Sequence, residues 1–376
     1  MFRNRLFALL LGASLVLPHL AGGPLAAQHL AEAPASSRWA DAIAQGRATV
    51  AAVMAEHAIP GLSVAVLVDG AVVWSEGFGY ANLEHRVPVT PLTRLRIGSV
   101  SKPVTAAALG KLVEQGRLDL DAPIQRYVPS FPRKRWPITT RQLAGHLAGI
   151  RHYRGDEFLS RDRYETVLDG LRIFQDDSLL FEPGTRYAYS SYGWNLISAV
   201  IEGAAGEPFL AYMQREVFEP LGMRSIVAEH TDSIIAHRAS FYERDRETGR
   251  ILNAPYVDNS YKWAGGGFIS NTEDLVRFGW AHLAGGFLRP ETVELLFTSQ
   301  RTTSGEVTNY GLGWQSGRDS AGRRWVGHTG SSVGARAVLV VYPDHRVVVA
   351  ALANLGTAPM TPELAERLAA PFIPGT

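Results

Sequence analysis

The chain has 376 residues, 46% of them hydrophobic and 19% charged, a balance that fits a globular core and excludes a disordered chain. It contains no cysteine, which rules out a thiol nucleophile, a disulfide frame and any cysteine-ligated metal cluster. A formal net charge of +1 gives no electrostatic case for nucleic acid or an anionic membrane surface as partner.

Arg3 and Arg5 precede an apolar run from Leu6 to Leu17, and small residues follow at Pro24 to Ala27. This is the pattern of a cleaved secretory signal over residues 1–27, and the run is short for a membrane span. The expected product is secreted or periplasmic, with no integral membrane span in the mature chain. Without the leader, 35 basic residues face 36 acidic ones, a balance of −1. Residues 28–36 are small and polar and read as a disordered leader. Trp39 to His57 carries an approximate apolar stripe and reads as a helix. LSVAVLVDGAVVWSEGFG follows, two β-rich runs joined by Asp69-Gly70, a strong hairpin signal.

The middle of the chain has helical periodicity over 102–116, 139–148, 163–174, 193–204 and 207–219, with Gly116 and Gly206 as stop signals. Near the end, ARAVLVVYP and RVVVAALAN flank Asp344-His345, and Thr361 to Ala370 reads as a closing helix. Strands at both ends with helices between them predict an α+β fold: one antiparallel sheet built from the two chain ends and flanked by helices, with a mainly helical lobe inserted. The domain reading is a single catalytic unit over 28–376. Its α/β lobe spans about 37–98 plus 265–376, and its helical lobe about 99–264.

Chemistry concentrates in RIGSVSKPVTAAALGKL, where Ser99 and Lys102 stand three apart as extended chain gives way to helix. That spacing sets a hydroxyl and an amine one turn apart on one helical face. A serine hydroxyl needs a nearby base to become a nucleophile, and a lysine with a lowered pKa can be that base. The plainer alternative is an N-cap serine followed by a surface lysine. Two further elements bear on the choice. FEPGTRYAYSSYGWNLISAVIEGAAG sets Tyr189 and Ser191 just before a helix, and WVGHTGSSVGARAVLVV sets His328-Thr329-Gly330 at a strand edge. The order Ser-x-x-Lys, then a Ser/Tyr element, then a Lys/His-Thr-Gly element is specific where each part alone is not.

With these three elements the chain resembles the serine β-lactamase-like family, which includes class C β-lactamases, DD-peptidases and related esterases. APYVDNSYKWAGGGFISNTEDLVRFG, TTRQLAGHLAGIRHY and LDLDAPIQRYVPSFP add to the likeness, which covers roughly residues 40–355 and runs in particular to the family's mitochondrial serine β-lactamase-like branch. The resemblance implies a β-lactamase/transpeptidase-like fold, Ser99 as acylated nucleophile, Lys102 as its base and Tyr189 as proton shuttle. It places Ser191 where the Tyr-x-Asn motif has an amide, and His328 where many relatives have lysine. Thr329 and Gly330 complete that element, and the backbone N–H groups of Ser99 and Ser331 would form the oxyanion hole. No cofactor and no metal is implied.

The leader, the site residues and the resemblance together imply a secreted serine hydrolase that cleaves a peptide, amide or ester bond in a small-molecule or peptide substrate. The alternatives are a β-lactamase proper with modest turnover, and a penicillin-binding sensor or scaffold that stays acylated. The sequence leaves the physiological substrate and the oligomeric state open. A titrating His328 would make binding of carboxylate-bearing substrates weaken as pH rises through neutrality; the alternative is a neutral spacer that bonds Ser or Tyr. Gly330-Ser331-Ser332-Val333-Gly334 also fits a nucleophile elbow, but β-rich sequence follows where a helix is required. His146 reads as a buried histidine in a helix that bonds backbone. His152, Asp156 and Glu157 lack ligand spacing. Tyr192, Trp194, Trp263, Tyr310 and Trp314 could line a cleft or fill the core, and Gly265-Gly266-Gly267 would let backbone pass close to the site.

Overall fold

The protein is described here by a computed structural model over residues 37–373. The expected signal at 1–27 and the polar segment 28–36 lie outside the described residues. A helix α1 (Ala40–His57) leads into β1 (Gly61–Val68) and β2 (Ala71–Asn82). Asp69 and Gly70 both take positive φ, +48° and +88°, as a tight hairpin with right-handed strand twist requires. A short strand β3 (Val87–Pro88) closes this end.

The other end supplies β4 (Gln315–Arg318), β5 (Arg324–Ser332), β6 (Ala335–Tyr342) and β7 (Val347–Ala353). Together they make one antiparallel seven-stranded sheet in the order β3-β2-β1-β7-β6-β5-β4. The first and last strands of the chain meet at its centre, with Ala65 opposite Ala350.

The two faces of the sheet are sorted by strand alternation. Val347, Val349 and Ala351 pack with Val50 and Val53 of α1 and with Leu364 and Leu368 of a closing helix, Pro362–Ala369. Val348, Ala350 and Leu352 pack the other way, with Leu275 and Phe278 of the helix Thr272–Ala284. Every residue of β1 and β7 is buried, which matches the unbroken apolar run of β7, and the one polar side chain of β1, Ser63, is paired with Thr272 at 3.0 Å. Each buried Val or Leu here contributes roughly 1.5–3 kcal/mol.

Between β3 and β4 the chain carries most of the helices, together with long connections and five short strands. Its long helices are α2 (Ser101–Glu114) and α3 (Ser191–Ala205), followed by the helix Thr272–Ala284. Two predicted helices are much shorter than their periodicity suggests: 139–148 holds only Thr140–Ala144, and 163–174 only Val167–Leu171. The first ends because His146 takes φ +60° and Gly149 φ +73°, which break the helical ladder. The second starts at a Thr166 cap, and its Gly170 passes against the Tyr261 backbone, where a Cβ would sit 3.0 Å from the carbonyl oxygen. The segment 207–219 holds an α-turn, Phe209–Met213, continued by a π-helical turn, Gln214–Phe218. Among the described residues no helix is long and apolar enough to cross a membrane.

Candidate active site

Ser99 sits in a 3-10 turn, Gly98–Val100, that feeds directly into α2. Two glycines press this turn against β5. Gly98 has φ +49°, and a Cβ on it would lie 2.6 Å from the Ser331 nitrogen; a Cβ on Gly330 would collide with the Ile97 carbonyl oxygen. Backbone of the serine turn and of Ser331 therefore lie side by side. The nucleophile elbow that the sequence argued against is absent, because β5 ends at Ser332 and turns through Val333-Gly334 into β6 rather than into a helix.

Lys102 follows in the first turn of α2, which is buried from Ser101 to Gly110. Its Nζ donates to Ser99 Oγ at 3.0 Å, to Ser191 Oγ at 3.2 Å and to the Gly265 carbonyl at 2.7 Å. Burial holds its pKa well below the usual lysine range, and the positive charge of Lys262 adds to the effect. Gly265 packs tightly against the start of the Ser191 helix, where a Cβ would sit 3.1 Å from the Ser191 carbonyl oxygen, so backbone does pass close to the site at Gly265.

Tyr189 Oη donates to Ser99 Oγ at 2.8 Å. Burial pushes this phenol up, with the hydrogen bond to Ser99 opposing, so it stays protonated. Tyr189 is held in place by the start of α3. Ser190 caps the helix by accepting from Gly193 N–H, and its hydroxyl donates to the Arg151 carbonyl. The Ser190 and Ser191 N–H groups, which a helix start would leave without partners, donate to His146 Nδ1 and His152 Nδ1, both at 3.1 Å. His146 also packs its ring 4.3 Å from that of Tyr189. The predicted backbone bond of His146 is therefore present, though one residue past the glycine that ends its helix. The role of His152 carried no signal in its spacing.

His328 is 2% exposed and bonded at both ring nitrogens. Nδ1–H donates to the Thr329 carbonyl at 2.5 Å, and Nε2 accepts from Tyr310 O–H at 2.8 Å. Burial, aided by the Lys102 charge, lowers its pKa to about 3. The expectation of a histidine cation titrating near neutrality is thus corrected: the ring is a neutral spacer. Thr329 N–H donates to Gln315 Oε1 at 3.3 Å, and Ser331 Oγ accepts from Arg336 Nη1 at 2.6 Å.

Ser99, Tyr189, Ser191, His328, Thr329, Gly330 and Ser331 all line one cavity of about 530 Å³, with Lys102 beneath Ser99. The cavity also takes in His152, Tyr153, Phe158, Lys262, Gln315 and Arg336, which the sequence reading did not assign to it. Arg336 left a signal as the one charge in the apolar strand ARAVLVVY. Lys262 left none, although it is 1% exposed with a pKa lowered to about 7, by burial first and by the Arg96 charge second. Tyr192, Trp194, Trp263, Tyr310 and Trp314 are buried in the core and do not line the cavity.

The family model described as Beta-lactamase matches residues 47–371. The mitochondrial serine beta-lactamase-like protein LACTB of Homo sapiens is 35% identical, over 83% of this chain and 74% of its own length. Penicillin-binding protein 4* of Bacillus subtilis is 28% identical, over 76% of this chain and 66% of its own. Among solved structures, the octameric penicillin-binding protein homologue from Pyrococcus abyssi superposes with a TM-score of 0.74 at 29% identity, covering 87% of this chain and 77% of that one. The human, mouse and bovine LACTB relatives are mitochondrial proteins, and this corrects the expected secreted or periplasmic location. Arginines without acidic residues in a leader are shared by secretory and organelle-targeting segments, so the leader alone misdirected that reading.

Proposed function

The chain belongs to the beta-lactamase family, and on that premise we propose that it is a hydrolase that forms an acyl-enzyme on Ser99 and cleaves a peptide, amide or ester bond. The same reading treats residues 28–376 as one two-lobed catalytic unit. The observation that carries it is the pair of contacts on one hydroxyl: Lys102 Nζ at 3.0 Å and Tyr189 Oη at 2.8 Å from Ser99 Oγ.

The steps follow from hydrogen-bond capacity. The Gly265 carbonyl can only accept, so one Lys102 N–H goes there. A neutral amine then has a second N–H for Ser191 Oγ and a lone pair for the Ser99 proton. Ser99 Oγ attacks the substrate carbonyl as Lys102 takes that proton. The backbone N–H groups of Ser99 and Ser331 receive the oxyanion. Tyr189, kept protonated by burial, gives its proton to the leaving group and is restored from Lys102 with Ser191 Oγ as relay. Water then attacks the acyl-enzyme, its proton passes to Lys102, and Lys102 returns it to Ser99.

A substrate panel tests this: a chromogenic β-lactam, a p-nitrophenyl ester and a D-Ala-D-Ala peptide, each followed by product release and by intact mass. Turnover of the ester or peptide with weak β-lactam hydrolysis supports the hydrolase, since Ser191 offers no amide to a β-lactam side chain. A stable adduct without release assigns a sensor or scaffold instead. No adduct and no turnover with any of the three refutes the proposal.

A further inference from the structure

We propose that Lys262, with His152 beside it, forms a subsite for a carboxylate, so that the cavity selects substrates carrying an acidic group. The word substrate rests on the acyl-enzyme reading above, whereas the subsite itself can be tested by binding alone.

Lys262 lines the cavity yet is 1% exposed. Among the described residues its Nζ makes no hydrogen bond and no ion pair. Its neighbours are rings: Phe158 at 4.2 Å, Tyr261 at 5.2 Å and Tyr153 at 5.7 Å from Nζ to ring centre. Ring faces attract an ammonium but do not replace its lost hydration or its hydrogen bonds. The nearby carboxylates are committed elsewhere. Glu229 accepts from Arg96 at 2.7 Å and from Asn259 at 2.5 Å; Glu157 accepts from Arg151 at 2.7 Å and from Tyr192 at 2.9 Å. A buried, cavity-lining ammonium with no protein acceptor is matched by an anion that enters through the cavity.

His152 supplies a second donor to the same cavity. Its Nδ1 accepts the Ser191 N–H, so the neutral ring carries its proton on Nε2. His328, which also lines the cavity, differs, because both its ring nitrogens are taken up by protein partners. Arg336 is the other cation of the cavity, but it stands on β6 and donates to Ser331 Oγ.

Calorimetric titration of the unreacted protein with glutarate and with glutaramide at pH 6.5 reads the subsite directly. We expect glutarate to bind at least tenfold more tightly than the diamide in wild type and in Ser99→Ala. Lys262→Met should lose at least tenfold of that preference and Lys262→Arg should regain it. If Lys262→Met does not fold, the wild-type preference and its retention in Lys262→Arg decide. Equal binding of acid and amide by wild type, unchanged binding in Lys262→Met, or a loss confined to Arg336→Met overturns the inference. A parallel rate comparison of mono-p-nitrophenyl glutarate against p-nitrophenyl butyrate separates the two readings. Glutarate binding without Ser99-dependent turnover would sink the acyl-enzyme proposal and leave the subsite standing.

Discussion

The Tyr189 hydroxyl lies 2.8 Å from Ser99 Oγ although 90 residues separate the two in the chain. Two imidazoles make that approach possible. His146 and His152 accept the N–H groups of Ser190 and Ser191 and so fix the residues that immediately follow Tyr189. Lys102 reaches the same serine from within its own helix, and the proposed chemistry depends on both contacts.

If Lys102 is the base, its charge is not what matters. Arginine keeps the charge but does not give up its proton at working pH, so Lys102→Arg should lower kcat for a neutral ester by about two to four orders of magnitude. In wild type the acidic limb of kcat/KM should fall far below the usual lysine pKa, because burial favours the uncharged amine. Activity that survives in the arginine variant, or a limb at pH 10, would exclude the role.

The placement of Ser99 rests on Gly98. Alanine there must accept φ +49° and a Cβ 2.6 Å from the Ser331 nitrogen, so the turn has to shift. We expect Gly98→Ala to cut kcat/KM on the order of 100-fold, while far-ultraviolet circular dichroism stays native. An unaltered rate would show that the close approach to β5 is not needed.

His282 lies in the core among Phe278, Phe297 and Trp314, and burial lowers its pKa to about 4. The unfolded imidazole takes up a proton below about pH 6.5 and the folded one does not, so stability falls as pH drops from 6.5 toward 4. Between pH 7.5 and 5.0 this group accounts for about 2 kcal/mol of that loss. Urea unfolding of His282→Leu at the two pH values should show a drop smaller by about that amount; an equal drop in both proteins would contradict it.

Much of the fold was legible because its signals are local. Asp69-Gly70 demands positive φ, VVVAALA has no polar face to expose, and Ser99-x-x-Lys102 stands at a helix start. The parts that were not legible depend on distant packing. A single lysine in NSYKWAGGG carries no mark of burial, because the rings around Lys262 come partly from Tyr153 and Phe158. The sequence leaves His328 open between a titrating cation and a neutral spacer, because the partner that decides, Tyr310, is 18 residues away on another segment. The apolar spacing over 163–174 marks a buried segment, but only Val167–Leu171 is helical, with Gly170 inside it packed against the Tyr261 backbone.

The most direct test of the account is the site of acylation. After incubation with a p-nitrophenyl ester or a β-lactam and rapid acid quench, peptide mapping by mass spectrometry should find one acyl group, on Ser99, in wild type and none in Ser99→Ala. An adduct on another residue, or turnover that persists in Ser99→Ala, would contradict it.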